Sequence, residues 1–258
     1  LPICTLIEGY DFSSYGYLAV YLAPLFFPNT DPVVSLLLAL LVFAGAYVAR
    51  PLGGIVFGLL GDRIDRGRVL IATILCMGMA TTLIGVLPAY DSAGVAATVL
   101  LIVLRLVQGF SVGAEVAGAA TFVSEAAPNR FKSRFGAFNP AGATGGFALA
   151  AAVTGTTSAI VGPDAMAAWG WRVPFLVSLP LTIVAFLIRR RIIAEAHPVA
   201  GADTSLLTVL RRGWVPILKV AALSAAVNGT AYFGLTYVSI HLIQRLKYPA
   251  TEVFWLTT

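Results

Sequence analysis

The chain has 258 residues, 59% of them hydrophobic and only 11% charged, whereas soluble domains average about a quarter charged. That composition excludes a soluble globular protein and an intrinsically disordered chain. With no glycine period and only Cys4 and Cys76, it also excludes a collagen-like or disulfide-stapled fold. The net charge of +5 would suggest nucleic acid only if topology did not already account for the basic residues.

Uncharged runs such as 69–90 and 135–163 are long enough to cross a hydrocarbon core of about 30 Å as helix. In chain order, apolar spans are predicted at 3–27, 34–60, 69–88, 96–125, 135–162, 172–190 and 214–243, with an eighth starting near 251. The reading is an all-α membrane protein. Loops on one side carry Arg63, Arg66 and Arg68, then Arg130, Lys132 and Arg134, then Arg189, Arg190, Arg191, Arg211 and Arg212, eleven of the seventeen basic residues. The opposite loops contribute only Arg172, Arg245 and Lys247. The positive-inside rule therefore places loops 61–68, 127–134 and 189–213 in the cytoplasm, with the protein multi-pass in the plasma (inner) membrane. This distribution explains the basic excess, so no nucleic-acid partner is expected.

Six spans precede the longest polar stretch, which divides the chain into a six-span half at 1–190, a cytoplasmic linker at 191–213 and the start of a second half at 214–258. The chain opens at Leu1 inside an apolar segment, with no basic leader to support a cleavable signal peptide, and stops at Thr258 just inside another span. It is expected to be part of a longer polypeptide. Small residues recur four apart, as Gly45, Ala49 and Gly53, Gly54 and Gly58, Gly109 and Gly113, and Gly142 and Gly146. Such faces let helices approach closely in lipid.

Six charged residues, Glu8, Asp11, Arg50, Arg105, Glu115 and Lys219, fall within or at the edge of predicted spans. A charge at the centre of a lipid-facing helix costs roughly 2.5 to 3.5 kcal/mol, so such residues face a bundle interior or a water-filled cavity. Glu8 and Asp11 are three apart on one helix face, and Arg105, Gln108 and Glu115 form a second stripe. Two readings stand: polar stripes lining one cavity, or buried ion pairs that fix helix packing. Glu8 and Asp11, with Glu115 as a third, are candidate proton carriers, because repulsion and desolvation both favour protonation of paired carboxyls. Arg50 and Arg105 suit a solute carboxylate better than lysine would, with Gln108 beside them. Lys219 snorkels from a helix entrance, and His241 reads as an interfacial polar residue. No metal-ligand spacing, nucleophile elbow, phosphate loop or redox cysteine pair is present, which gives an enzyme no support.

The junction Gly58-Leu59-Leu60-Gly61-Asp62-Arg63-Ile64-Asp65-Arg66-Gly67-Arg68 resembles the loop signature of the major facilitator superfamily, and Arg105-Leu106-Val107-Gln108-Gly109 its span-four motif. More specific segments are Glu8-Gly9-Tyr10-Asp11-Phe12, Ala49-Arg50-Pro51-Leu52-Gly53-Gly54, Gln108-Gly109-Phe110-Ser111-Val112-Gly113-Ala114-Glu115 and Trp169-Gly170-Trp171-Arg172-Val173-Pro174-Phe175. Together they resemble the metabolite:proton symporter family, the branch of carriers for proline and betaine, 2-oxoglutarate, citrate and shikimate. The likeness runs from about Glu8 to Pro198. It departs at Asp65 and Ala114, where the family usually has glycine, at Gly67, where it has arginine, and at Gly9, where it has tryptophan. Gly9 lies next to Glu8 and Asp11 and is expected to alter solute preference.

The resemblance implies a helical bundle in which this chain supplies the N-terminal six-helix half plus about one and a half helices of the second. It implies a proton-coupled symporter of a small polar metabolite, an organic acid or zwitterion, working as a monomer by alternating access without a prosthetic cofactor. Gly58, Asp62, Arg63, Arg66 and Arg68 would form a conformational latch, since a carboxylate held by arginine and a helix N-terminus exists in only one access state. The alternatives are a drug or sugar carrier of another branch and a truncated, non-transporting membrane protein.

Overall fold

The structure, a computed structural model, describes residues 2–29, 31–63, 66–126, 132–195, 206–250 and 252–253. Within an apolar solvent every backbone N–H and C=O must be satisfied inside its own segment, and the apolar runs are accordingly helical. In chain order the helices are α1 (Pro2–Phe26), α2 (Pro32–Arg63), α3 (Arg66–Val86), the one-turn α4 (Tyr90–Ala93), α5 (Val95–Ala126), α6 (Lys132–Ala165), α7 (Arg172–Glu195), α8 (Leu206–Tyr232) and α9 (Val238–Gln244). Asp31 starts α2, its Oδ1 accepting the Val33 N–H at 2.8 Å with Pro32 at the first helical position.

Among the described residues, five stretches are long and apolar enough to cross a membrane, at Pro32–Gly61, Gly67–Val86, Val95–Glu115, Gly136–Gly170 and Arg172–Arg191. They match the second to sixth expected spans. α1 is of similar length but carries Glu8, Asp11, Ser13 and Ser14, all buried. It packs against α6, α2, α7, α5 and α3. α1, with two acids close to its middle, therefore takes the centre, where protein rather than lipid surrounds its charges.

Three pairings build the bundle: α2 on α5, α1 on α6 and α3 on α7. Small residues sit at each crossing. A Cβ on Gly53, Gly109 or Gly113 would strike the facing backbone of Phe110, Ala46 or Arg50, and one on Gly9 or Gly146 that of Ala143 or Leu6. Gly45 and Gly58 of the same periodic series face open space. Gly9 is thus committed to the approach of α1 and α6, where its missing side chain opens a helix contact. An aromatic core at the far end joins Tyr15, Leu22, Phe26, Trp171 and Phe175.

Some element boundaries differ from expectation. α6 reaches Ala165 by bending at Gly162, whose φ of 78° precedes Pro163, and leads into a π turn at Met166–Gly170. The seventh expected span is divided into α8, a π turn at Phe233–Tyr237 and α9. α7 and α8 both extend into the expected linker, and 196–205 lies outside the described residues, as does the eighth span beyond Val253.

Candidate functional site

Five of the six charged residues singled out from sequence, all but Lys219, converge on one buried cluster around α1. Glu8 pairs with Arg50 of α2 at 3.4 Å, the acid side chain 11% and the arginine 20% exposed. The Arg50 guanidinium lies 4.1 Å over the Phe12 ring and 4.2 Å over that of Tyr47. Arg105 of α5, wholly buried, lies 4.0 Å over the Tyr15 ring and 5.0 Å over Phe12. Phe43 closes the group, stacked on Tyr15 with centroids 6.1 Å apart. Two cations thus share an aromatic box, in which ring faces offset part of the lost hydration.

The box follows from helical spacing. Glu8, Phe12 and Tyr15 stand at intervals of four and three on α1, as do Phe43, Tyr47 and Arg50 on α2, so each trio makes one stripe. The two stripes face each other, the Phe12 and Tyr47 rings meeting edge to face at 5.2 Å.

A hydrogen-bond chain runs from Arg105 to Asp11. The Arg105 guanidinium donates to Gln108 Oε1 at 2.9 Å, Gln108 Nε2 donates to Thr81 Oγ1 at 2.5 Å, and Thr81 donates to Asp11 Oδ2 at 2.8 Å. All four residues are buried, on α5, α3 and α1. Asp11 Oδ1 makes no hydrogen bond among the described residues, and the buried Ser178 of α7 lies beside the same carboxylate.

Glu115 takes a different partner from its stripe neighbours. Its Oε1 accepts from Arg189 of α7 at 2.5 Å, both side chains about 5% exposed. Arg189, expected among the cytoplasmic loop arginines, is therefore turned into the bundle. Three acids (Glu8, Asp11, Glu115) and three arginines (Arg50, Arg105, Arg189) balance in formal charge. Such a group can exist away from water only when mutually paired and hydrogen-bonded.

Gly58 and Arg68 stand apart from this cluster and are exposed; the side chains of Asp62, Arg63 and Arg66 lie outside the described residues. Lys219 is exposed on α8, and His241 is exposed and stacked on Tyr237 at 6.1 Å. Sequence reasoning missed Thr81, Arg189 and the four aromatic residues. The aromatic stripes were signalled by their spacing relative to Glu8 and Arg50; Thr81 carried no signal, being one of many threonines in apolar helices.

Residues 2–192 match the family described as "Sugar (and other) transporter". The chain is 36% identical over 259 residues to the "Proline/betaine transporter" of Escherichia coli K12, covering 94% of this chain and 51% of that protein. It is 40% identical over 260 residues to the "Ectoine/proline transporter ProP" of Corynebacterium glutamicum, covering 93% and 52%. It therefore spans about half the length of the curated relatives it matches. Among solved structures, a D-xylose-proton symporter superposes with a TM-score of 0.70 at 16% identity, covering 99% of this chain and 63% of that one. The partially occluded inward-open xylose transporter XylE of E. coli gives 0.66, also at 16% identity, over 82% and 49%. At that identity the likeness is one of fold, and the fold is that of a major facilitator half.

Proposed function

The chain belongs to the sugar (and other) transporter family, within the major facilitator superfamily, and from that premise we propose that it forms part of a proton-coupled secondary active transporter of a small polar metabolite. The relatives' names mark transporters rather than enzymes. The metabolite is an organic acid or a zwitterion, and the relatives named for proline, betaine and ectoine favour the zwitterion. Alternating access would come from rocking this half against a second one around a site between them. The carrier sits in the plasma (inner) membrane with the arginine-rich loops in the cytoplasm, and works as a monomer with the proton as its coupling ion and no prosthetic cofactor.

The observation that carries this reading is the charge-balanced cluster on α1. Its two partly accessible members, Glu8 and Arg50, would meet the solute's opposite charges, while the wholly buried Asp11 would hold the proton. Arg105 and Gln108 keep the solute side and the Asp11 side in register, and Glu115 completes the charge balance. Gly58, Asp62, Arg63, Arg66 and Arg68 would latch one access state.

The test is uptake into vesicles reconstituted with the full-length protein, using labelled glycine betaine, L-proline, citrate and D-xylose under an inwardly directed proton gradient. Accumulation of betaine or proline that collapses with a protonophore is expected. Accumulation of D-xylose alone would assign the protein to a sugar carrier branch, and uptake indifferent to the gradient would reject proton coupling.

A further inference from the structure

Thr81 occupies a position whose chemistry the proposed carrier has not yet used. Its Oγ1 lies 2.8 Å from Asp11 Oδ2 and 3.0 Å from the Met77 carbonyl oxygen one turn earlier on α3. A hydroxyl has a single hydrogen, so it can be donated to only one of these two acceptors at a time. The same oxygen accepts the Gln108 amide, which leaves the direction of that one hydrogen as the free variable in the chain from Arg105 to Asp11.

We infer that Thr81 is a positioning residue that converts the protonation state of Asp11 into a tie, or the absence of one, between α1 and the α3–α5 pair. With Asp11 ionised, every donor in the chain points toward the carboxylate, and each bond polarises the next. Arg105, Gln108 and Thr81 then hold α1 against α3 and α5. With Asp11 protonated, the carboxyl is a weaker acceptor, the Thr81 hydrogen turns to the Met77 carbonyl within its own helix, and the link across helices opens. No covalent bond forms or breaks except that to the transferred proton. The inference rests on Asp11 as the proton-binding group of the function proposed above.

Among the described residues, the charged and titratable groups around Asp11 are Glu8, Tyr10 and Tyr15 on its own helix, Arg50 and Tyr47 on α2, Arg105 and Glu115 on α5, and Arg189 on α7. Residues 136–163 of α6 contain no charged side chain, α3 offers Thr81 and exposed Arg68, and His241 of α9 is exposed. The other acids are each paired with an arginine, Glu8 with Arg50 and Glu115 with Arg189. Asp11 is hydrogen-bonded to its arginine through two intermediaries, Gln108 and Thr81, so Thr81, the one in contact with the carboxylate, decides whether that chain is closed.

The experiment needs no solute. The carboxylic-acid C=O stretch of the full-length purified protein is followed by infrared difference spectroscopy through a pH titration. Asp11→Asn removes, and Asp11→Glu moves, the band belonging to Asp11. Thr81→Val, which keeps the side chain's shape, is expected to displace the midpoint of that band by about one pH unit or more, the scale of a lost hydrogen bond to a charged group. Thr81→Ser, which keeps the hydroxyl, is expected to restore it. If the Asp11 band titrates and Thr81→Val superimposes on the wild type, the inference is overturned while the proton-coupling reading stands. If Asp11→Asn removes no titrating band, both fall.

Discussion

A buried ion pair and a buried lone charge differ greatly in energy, and the Glu115–Arg189 contact lets that difference be measured. Both side chains are nearly inaccessible, so removing one partner strands the other charge. Arg189→Gln alone is expected to destabilise the protein by about 3 to 5 kcal/mol. The double variant with Glu115→Gln should recover most of the loss, and thermal unfolding in detergent checks both. Equal loss in single and double variants would show that the pair is not the source. Glu8, Asp11, Arg50, Arg105, Gln108 and Glu115 were all legible in sequence because polar groups stand out in apolar spans. Arg189 was not, since an arginine opening a basic triplet at a helix end satisfies the topology rule equally well whether it points to water or inward. Burial decided it, and burial depends on a partner 74 residues away.

The contact between α2 and α5 depends on the absence of side chains, and it fixes where Arg50 stands. Gly113 rests on the backbone of Arg50 and Gly54, and Gly109 on that of Ala46. Gly113→Ala must push the two helices apart, at a cost of about 1 to 3 kcal/mol. The same displacement carries Arg50 away from Glu8. Gly45→Ala, on the partner helix α2 but facing open space, is expected to change stability by less than about 1 kcal/mol, in the direction of helix propensity. Unfolding midpoints of the two variants separate a crossing glycine from an incidental one; equal effects would reject the distinction. Helix existence and order were legible from apolar run length, as α2, α3, α5, α6 and α7 show. The small-residue periods pointed to close packing without saying which glycines touch. Gly9 belongs to the α1–α6 contact, whereas position within the motif suggested the solute. The π turns and the bend at Gly162 left no periodic trace, because each inserts only a local change of pitch.

At the scale of the molecule, orientation is the property most directly open to test. Asn29 is exposed at the end of the first hairpin and Arg190 near the end of α7, on opposite sides by the arginine distribution. With Cys4 and Cys76 replaced by serine, Asn29→Cys is expected to react with an impermeant maleimide in intact cells. Arg190→Cys should react only after permeabilisation. The reverse pattern would overturn the topology.

α7 is held to two different neighbours at its two ends. Near its start, the Arg172 guanidinium donates to the carbonyls of Gly85 at 3.1 Å and Leu87 at 2.6 Å, closing the end of α3, and stacks on Trp171 at 4.3 Å. Near its other end Arg189 grips α5 through Glu115. In mechanical terms α7 is a beam pinned at both ends, unable to slide along its axis or turn about it without breaking a charged contact. Load applied to either face of this bundle is therefore passed on to α3 and α5 rather than absorbed by them. A carrier built on it would move α3, α5 and α7 as one stiff piece, with compliance left to α1 and to the seam against its other half.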